Sequence, residues 1–425
     1  MHMVQSMKAK VLFFADWYLP GRNGGGAVTA LVNLVNALGD ELDLYIFTRD
    51  RDSTDTKPYT NVALDSWTSV GHARVLYTSD LSFRNIRRRI KEVDPQVVYL
   101  GSVFSRLTIR ALLLRWLRLL PAMPVVLAPR GELGRGALML KRWRKWTYFQ
   151  VAVRIGLYHH LLWHAASELE YEQIRRRIFR SEPRLIGDIR IAHTIPSPGL
   201  FQEPTKFLKS QKYSGKCRFV FLSRIARNKN LLWALDLLAC ISGDVSLDIY
   251  GPVDDVSYWA ECYGRMQTLP PNIIATYAGA IRHEAVPSIL AAHDFLLLPT
   301  LGENFCYVIL EALSAGCPVI ISDQSPWRDL PKIGVGWDIP LDHKERWQSI
   351  LSECVEMGDN QYKVMSLRSR AVMRKWYESI DFRAEHIKLL QEALCSKAEP
   401  STAPLLTFPE RHRRAQKSIG SSYRP

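Results

Sequence analysis

Residues 298–322 read LPTLGENFCYVILEALSAGCPVIIS. The apolar run that ends at Leu298 has the length and composition of a buried strand, and so does 318–321. Between them the polar GEN at 302–304 breaks the chain, and the following apolar spacing predicts a helix that begins near Asn304, with Asn304 as its cap. Strand, helix, strand is one βαβ unit, whose crossover is right-handed and whose strands are parallel. Glu311 follows Glu303 by eight residues, about two turns into that helix and on the face turned back toward the loop. Two carboxylates beside a helix start suit polyol hydroxyls, such as those of ribose or a sugar. The plainer reading is an acidic helix terminus stabilised by the macrodipole.

The same grammar extends outward in both directions. Upstream, 218–222 (RFVFL), 246–250 and 273–275 read as strands, and 230–239 as a helix. An earlier series runs through strand 10–14 (KVLFF), helix 27–38, strand 42–48, a basic helix at 84–92, strand 96–100, helix 104–120 and strand 124–128. The stretch 193–204 (HTIPSPGLFQEP) is rich in Pro and Gly, lacks periodicity and reads as a linker. The expectation is α/β: two doubly wound Rossmann-like domains facing across a cleft, with ligands at the carboxyl ends of the strands. Residues 1–198 form the first domain and 199–375 the second. A helix at 376–395 packs back on the first domain, and 396–425 is a disordered basic tail.

Length and charge agree with two domains. The chain has 425 residues and a net charge of +14. Residues 1–198 hold 29 Lys/Arg against 17 Asp/Glu, 199–395 hold 21 against 23, and the tail holds 6 against 2. The basic excess therefore belongs to the front half and the tail. All seven cysteines lie in the back half without a C-x-x-C pair, which argues for a reducing compartment and against a disulfide framework or a zinc site. No secretory leader or membrane-spanning run is expected.

Two further motifs bear on chemistry. GRNGGG at 21–26 stands between a strand and a helix, where glycines permit close backbone approach and the helix start offers N–H groups to an anion. It reads as a diphosphate cradle or as a flexible turn. SRIARNKN at 223–230 places Arg224 and Lys229 at a strand's carboxyl end, suited to a diphosphate or simply solvated. Arg227 lies between them and reads as pointing to solvent.

In order and spacing, these motifs resemble glycosyltransferase family 4, the retaining nucleotide-sugar enzymes of GT-B fold, over roughly residues 8–395. Gly25 and Gly26 match the family's Gly-Gly loop, Arg224 and Lys229 its cation pair, and Glu303 and Glu311 its paired carboxylates. The resemblance implies that Arg224 and Lys229 hold the donor diphosphate and stabilise the leaving group. It implies that Glu303 binds donor-sugar hydroxyls with the backbone of Asn304, Phe305 and Cys306, and that Glu311 binds the ribose. Segments around Gly251 and Ile281 flank the base. No metal and no cofactor are implied, only a UDP or GDP sugar as co-substrate.

Cys306 departs from the family's Gly, and the usual His-Asp pair of the first domain is missing. PRGELG at 129–134 stands there instead and offers Arg130 and Glu132 as cleft residues. That variant, with SPWRDLPKIGVGWDIPL at 325–341, resembles a bacterial subgroup of exopolysaccharide and O-antigen synthesis.

The front half carries RNIRRRIK at 84–91, arginines along 104–120, and KRWRKW at 141–146. Basic helices with tryptophan suit an anionic membrane surface, although every helix here must also bury a face. In helix 104–120 that face is expected to hold Ile109, Leu112, Leu113, Trp116, Leu119 and Leu120. The reading is a cytoplasmic enzyme, peripheral at the inner face of the membrane, with a lipid-linked oligosaccharide acceptor. No nucleic-acid motif is present. The alternatives are a sugar-nucleotide epimerase of the same architecture and a non-catalytic membrane-docking scaffold. A phosphorylase would need a pyridoxal lysine and a longer chain.

Overall fold

The computed structural model describes residues 8–395 except 22–23, 54, 140–141, 179–186, 198 and 201–210. Arg22 and Asn23 of the glycine loop, part of the expected linker and the whole tail lie outside the described residues.

The first sheet contains β1 (Ala9–Phe14), β2 (Leu42–Arg49), β3 (Trp67–Val70), β4 (Ala73–Thr78), β5 (Val97–Leu100), β6 (Val125–Leu127), β7 (Leu162–Ala165) and β8 (Ile189–Ile191). Their order is β3-β4-β2-β1-β5-β6-β7-β8. β1 sits at the centre, with Phe13 paired to Ile46 on one side and Tyr99 on the other. All neighbours are parallel except β3, which returns antiparallel along β4 at the edge. The second sheet contains β9 (Lys216–Leu222), β10 (Asp244–Tyr250), β11 (Ile273–Gly279), β12 (Phe295–Leu298), β13 (Val319–Ser322) and β14 (Gly336–Ile339). It is wholly parallel, in the order β11-β10-β9-β12-β13-β14. In each sheet the order reverses beside the first strand, at the switch point where doubly wound folds open a crevice.

The continuous apolar runs became the central strands, because strands buried on both faces need apolar side chains on both. Strands β3, β4, β7, β8 and β14 were not foreseen. β3 is half-exposed, β8 is three residues around Arg190, and β14 is GWDI, so none carries a long apolar run.

Helix 104–120 is shorter than expected. It runs Arg106–Trp116, capped by the Ser105 hydroxyl, and stops where Arg118 turns left-handed at φ 56°. Of the projected stripe, Leu112 is buried and Leu113, Trp116 and Leu120 pack partly buried against the core, joined by the buried Leu107, Thr108, Ala111 and Leu114; Leu119 is exposed. Arg110 and Arg115 are structural: they donate to the carbonyls of Leu81 and His159 respectively.

The last helix, Phe382–Cys395, lies against the first domain. Leu389, Leu390 and Ala393 are buried with Val11, Phe13, Leu31 and Val97. Helix Asp359–Glu378 packs instead on the second domain, where Tyr362 and Met373 join the core.

Candidate active site

A cleft of about 840 Å³ lies between the carboxyl ends of the two sheets. On the first-domain side, helix Gly26–Leu38 begins directly after the glycine loop. Its N-cap, Gly25, has φ 62° and ψ −139°, which a side chain rarely tolerates, and no side chain caps the first turn. A Cβ on Gly25 would stand 3.6 Å from Arg224 Nε, and one on Gly26 would stand 3.6 Å from a ring carbon of Tyr307. The loop thus meets the second domain's cations across the cleft.

Those cations follow β9. Arg224 Nη1 donates to Asp254 Oδ2 at 2.7 Å. The 3-10 turn Arg227–Lys229 then carries Lys229 inward, and its Nζ donates to Glu303 Oε1 at 2.5 Å, with both side chains nearly buried. Arg227 points elsewhere: it pairs with Glu261 at 2.5 Å and lies over the Tyr258 ring.

The helix after Glu303 starts later than its sequence suggests. It runs Tyr307–Ser314, and its N-cap is Cys306, held left-handed at φ 63° and ψ 76°. Asn304 does not cap it. With its amide turned so that the nitrogen donates, Asn304 reaches both oxygens of Glu170 at 3.1 Å, across the cleft. Phe305 is buried against Trp327 and Trp376, and its carbonyl accepts from Trp327 Nε1 at 2.6 Å. These two anchors hold residues 304–306 out of the helix. Glu311 therefore sits about one turn in, not two, and its carboxylate still lines the cleft. Burial pushes the Glu311 pKa from 4.5 up to about 7, and His283 Nδ1 lies 3.7 Å from its Oε1.

Arg130 lines the cleft with φ 55° and its guanidinium 5.9 Å from the centre of the Tyr99 ring. Tyr99 in turn bonds His164 Nδ1. Glu132 also borders the cleft, but its carboxylate is engaged: it accepts from the Ser102 hydroxyl at 2.8 Å and from the N–H groups of Val103 and Phe104. It organises the turn before helix Arg106–Trp116.

Gly251 and Ile281 are not among the lining residues; His283 and Val286 form the wall there. Gly251 has a backbone duty instead, since a Cβ on it would overlap the carbonyl oxygen of Ser223 at 1.9 Å. Tyr277 hydroxyl donates to its carbonyl.

Several residues at or behind the cleft wall were not anticipated. Glu170 is buried in the first turn of helix Glu168–Ile178, behind the wall, and accepts from Gly131 N at 2.6 Å and Ala166 N at 2.8 Å. Burial raises its pKa. Arg176, Arg177 and Arg328 border the same space. The domains also touch through glycine: a Cβ on Gly136 would lie 2.5 Å from the Leu301 carbonyl oxygen, and one on Gly131 2.7 Å from Asn304 Cβ. Among the described residues no group of three His, Cys, Asp or Glu side chains is placed to hold a metal ion.

Two facing Rossmann-like domains with a strand-end cleft between them define the GT-B fold. Residues 216–345 match the family model described as "Glycosyl transferases group 1". Among solved structures, sucrose-phosphate synthase from Thermosynechococcus elongatus matches with a TM-score of 0.66 at 14% identity, covering 91% of this chain and 99% of its own. Anabaena HepE in complex with UDP and glucose matches with a TM-score of 0.66 at 14% identity, covering 90% and 100%. WaaG, a glycosyltransferase involved in lipopolysaccharide biosynthesis, matches with a TM-score of 0.61 at 14% identity, covering 90% and 98%. No curated protein matches the chain. These findings support a glycosyltransferase of the GT-B type.

Proposed function

We propose that this protein is a retaining, metal-independent glycosyltransferase of the family 4 kind. It moves a sugar from a UDP or GDP sugar to a lipid-linked oligosaccharide during cell-surface polysaccharide synthesis. The observation that carries the reading is the Lys229–Glu303 pair at 2.5 Å, set in a cleft opposite an uncapped, glycine-headed helix. A cation, an acidic partner and free backbone N–H groups converge there on one space.

In this reading the donor diphosphate lies between the Gly25–Gly26 backbone and the two cations. Arg224 and Lys229 stabilise the charge that develops as the sugar leaves, the kind of electrostatic support that dominates many enzymatic rates. Glu303 exchanges its contact with Lys229 for hydroxyls of the donor sugar. Glu311 accepts from the ribose, and Arg130 borders the sugar or the acceptor. No side chain serves as nucleophile; a diphosphate oxygen takes the proton of the attacking hydroxyl on the same face of the sugar.

Membrane apposition is supported by helix Arg142–Arg154, where Trp143, Trp146 and Val151 are 79%, 57% and 57% exposed among arginines. Such a face gains from both apolar insertion and anionic lipid. No helix among the described residues is long and apolar enough to cross a membrane.

The test is a thermal-shift comparison of UDP, GDP and their hexose conjugates, followed by turnover and anomer analysis with the best donor. Stabilisation by one nucleotide diphosphate is expected. Absence of stabilisation by any of them sinks the reading, and conversion of the donor to its epimer without an acceptor favours the epimerase instead.

A further inference from the structure

Glu170 stands at the start of helix Glu168–Ile178, where its own N–H donates to the Ser167 hydroxyl at 3.3 Å. Ser167 and Glu170 have the S-x-x-E spacing of a capping box, in which the glutamate ordinarily turns back to the N–H of the cap residue itself. This glutamate reaches further. Its Oε2 accepts from Ala166 N at 2.8 Å, and its Oε1 accepts from Gly131 N at 2.6 Å, 39 residues earlier in the chain. The Asn304 amide nitrogen meets both oxygens at 3.1 Å from the second domain. The residue is 2% exposed, and all of these partners are donors. Burial works against its charge, while the two backbone N–H groups and the Arg130 cation favour it.

The two segments that Glu170 joins shape the cleft from opposite sides. Gly131 follows Arg130, and the pair forms a turn with φ of 82° and 55°. An arginine keeps a left-handed backbone only where its surroundings enforce it, and the bond from Gly131 N supplies part of that hold. Asn304 follows Glu303. The second domain anchors this loop through Glu303 N, which donates to the Gln324 carbonyl at 2.8 Å, and through the Phe305 carbonyl, which accepts from Trp327. Between those anchors, the Asn304 side chain is satisfied by the other domain. Turn and loop are packed tightly enough that a Cβ on Gly131 would lie 2.7 Å from Asn304 Cβ. Glu170 itself does not line the cleft. Arg224, by contrast, is steadied within its own domain by Asp254.

We propose that Glu170 is a positioning residue: through Asn304 it docks the loop at 303–306 on the Arg130–Gly131 turn, and so sets the spacing of Glu303 and Arg130 across the cleft. Assigning that spacing to a sugar rests on the transfer reading of the cleft; the docking itself does not.

The experiment is hydrogen exchange by mass spectrometry on the full-length protein, followed at residues 129–134 and 301–308. Asn304→Ala is expected to speed exchange at 129–134, in the other domain, by about tenfold. Asn304→Asp sets carboxylate against carboxylate and is expected to speed exchange at both segments more than Asn304→Ala does. In a Glu170→Gln background the order is expected to reverse, because the glutamine amide can donate to the new aspartate. General damage to the fold gives no such reversal. Exchange at 129–134 that Asn304→Ala leaves unchanged overturns the docking, and so does the same order of the two Asn304 variants in both backgrounds. Should Glu170→Gln not fold, exchange at 129–134 in the two Asn304 variants decides alone. With the best sugar donor, Asn304→Ala is expected to lower kcat about tenfold at unchanged UDP or GDP affinity. Nucleotide affinity that falls in step with kcat overturns the placement on the sugar side. Exchange that behaves as expected in a wild-type protein that turns over no sugar donor leaves the docking standing and removes the transfer reading.

Discussion

Glu303→Gln separates binding from chemistry. Lys229 already has a partner, its Nζ 2.5 Å from Glu303 Oε1, with both side chains about a tenth exposed. A diphosphate must draw Lys229 away from that carboxylate or share it. Coulomb attraction at this distance is about 7 kcal/mol at an effective dielectric of 20. The pair faces a solvated cleft, so desolvation and screening leave a net value of about 1–2 kcal/mol. Glutamine keeps the volume and removes the charge, so Lys229 becomes free to meet the nucleotide. Nucleoside-diphosphate affinity is expected to rise by about tenfold. Transfer is expected to fall by about 100-fold or more, because the sugar loses a charged hydrogen-bond acceptor at the reacting centre. Calorimetry with UDP and GDP reads the first quantity and single-turnover release of nucleotide from the sugar donor reads the second. A tenfold loss of nucleotide affinity, with an unchanged melting temperature, would refute the competition argument. Unchanged turnover would remove Glu303 from the reaction.

Other outcomes follow from the same geometry. Lys229→Ala, which leaves Glu303 nearly buried without its cation, should lower stability by about 1–2 kcal/mol in urea titration and abolish measurable transfer. Glu311 is a carboxyl whose folded pKa is raised, to about 7, so the folded state holds a proton that the unfolded chain releases near 4.5. Its stabilising contribution is complete below about 4.5 and is lost as pH rises through 7; Glu311→Gln should flatten that decline in a pH series of melts. Gly136→Val should wedge the domains apart at Leu301, raising the KM for donor and the radius of gyration in solution scattering; an unchanged radius would show that the contact is not formed. Trp143→Ser with Trp146→Ser should weaken binding to anionic vesicles by tenfold or more in co-sedimentation, and added salt should weaken the native interaction further.

The parts of this fold that sequence revealed best are those where burial leaves no choice. KVLFF, RFVFL and FLLL can only be inner strands, and each occupies the middle of its sheet. Edge strands such as β3 and β14 are four residues each, WTSV and GWDI, without an apolar run, so local composition did not disclose them. The site divides along the same line. Arg224, Lys229 and Glu303 stand in the turns between elements, Glu311 stands one turn into a helix, and all four reach one cleft. Glu170 was illegible, because its partners, Gly131 and Asn304, are brought to it only by the folding of both domains. The start of helix Tyr307–Ser314 was misjudged for a related reason: Asn304 satisfies a distant carboxylate in place of its own helix. Arg110 and Arg115 carried charge that reads as surface, yet their work is to hold carbonyls of neighbouring segments.

The return of helix Phe382–Cys395 to the first domain sets the order in which the molecule can be finished. Leu389, Leu390 and Ala393 complete a core begun by Val11 and Phe13, nearly four hundred residues earlier. During synthesis, chains ordinarily complete their domains from the N-terminus onward. Here the first domain emerges from the ribosome with an apolar flank open, and the second, with its sheet drawn from one uninterrupted stretch, is complete before it. Only release of the last helix seals the first. A nascent chain stalled before residue 382 is therefore a natural client for a chaperone, and a stop codon there would cost the N-terminal half its closure while sparing the C-terminal half.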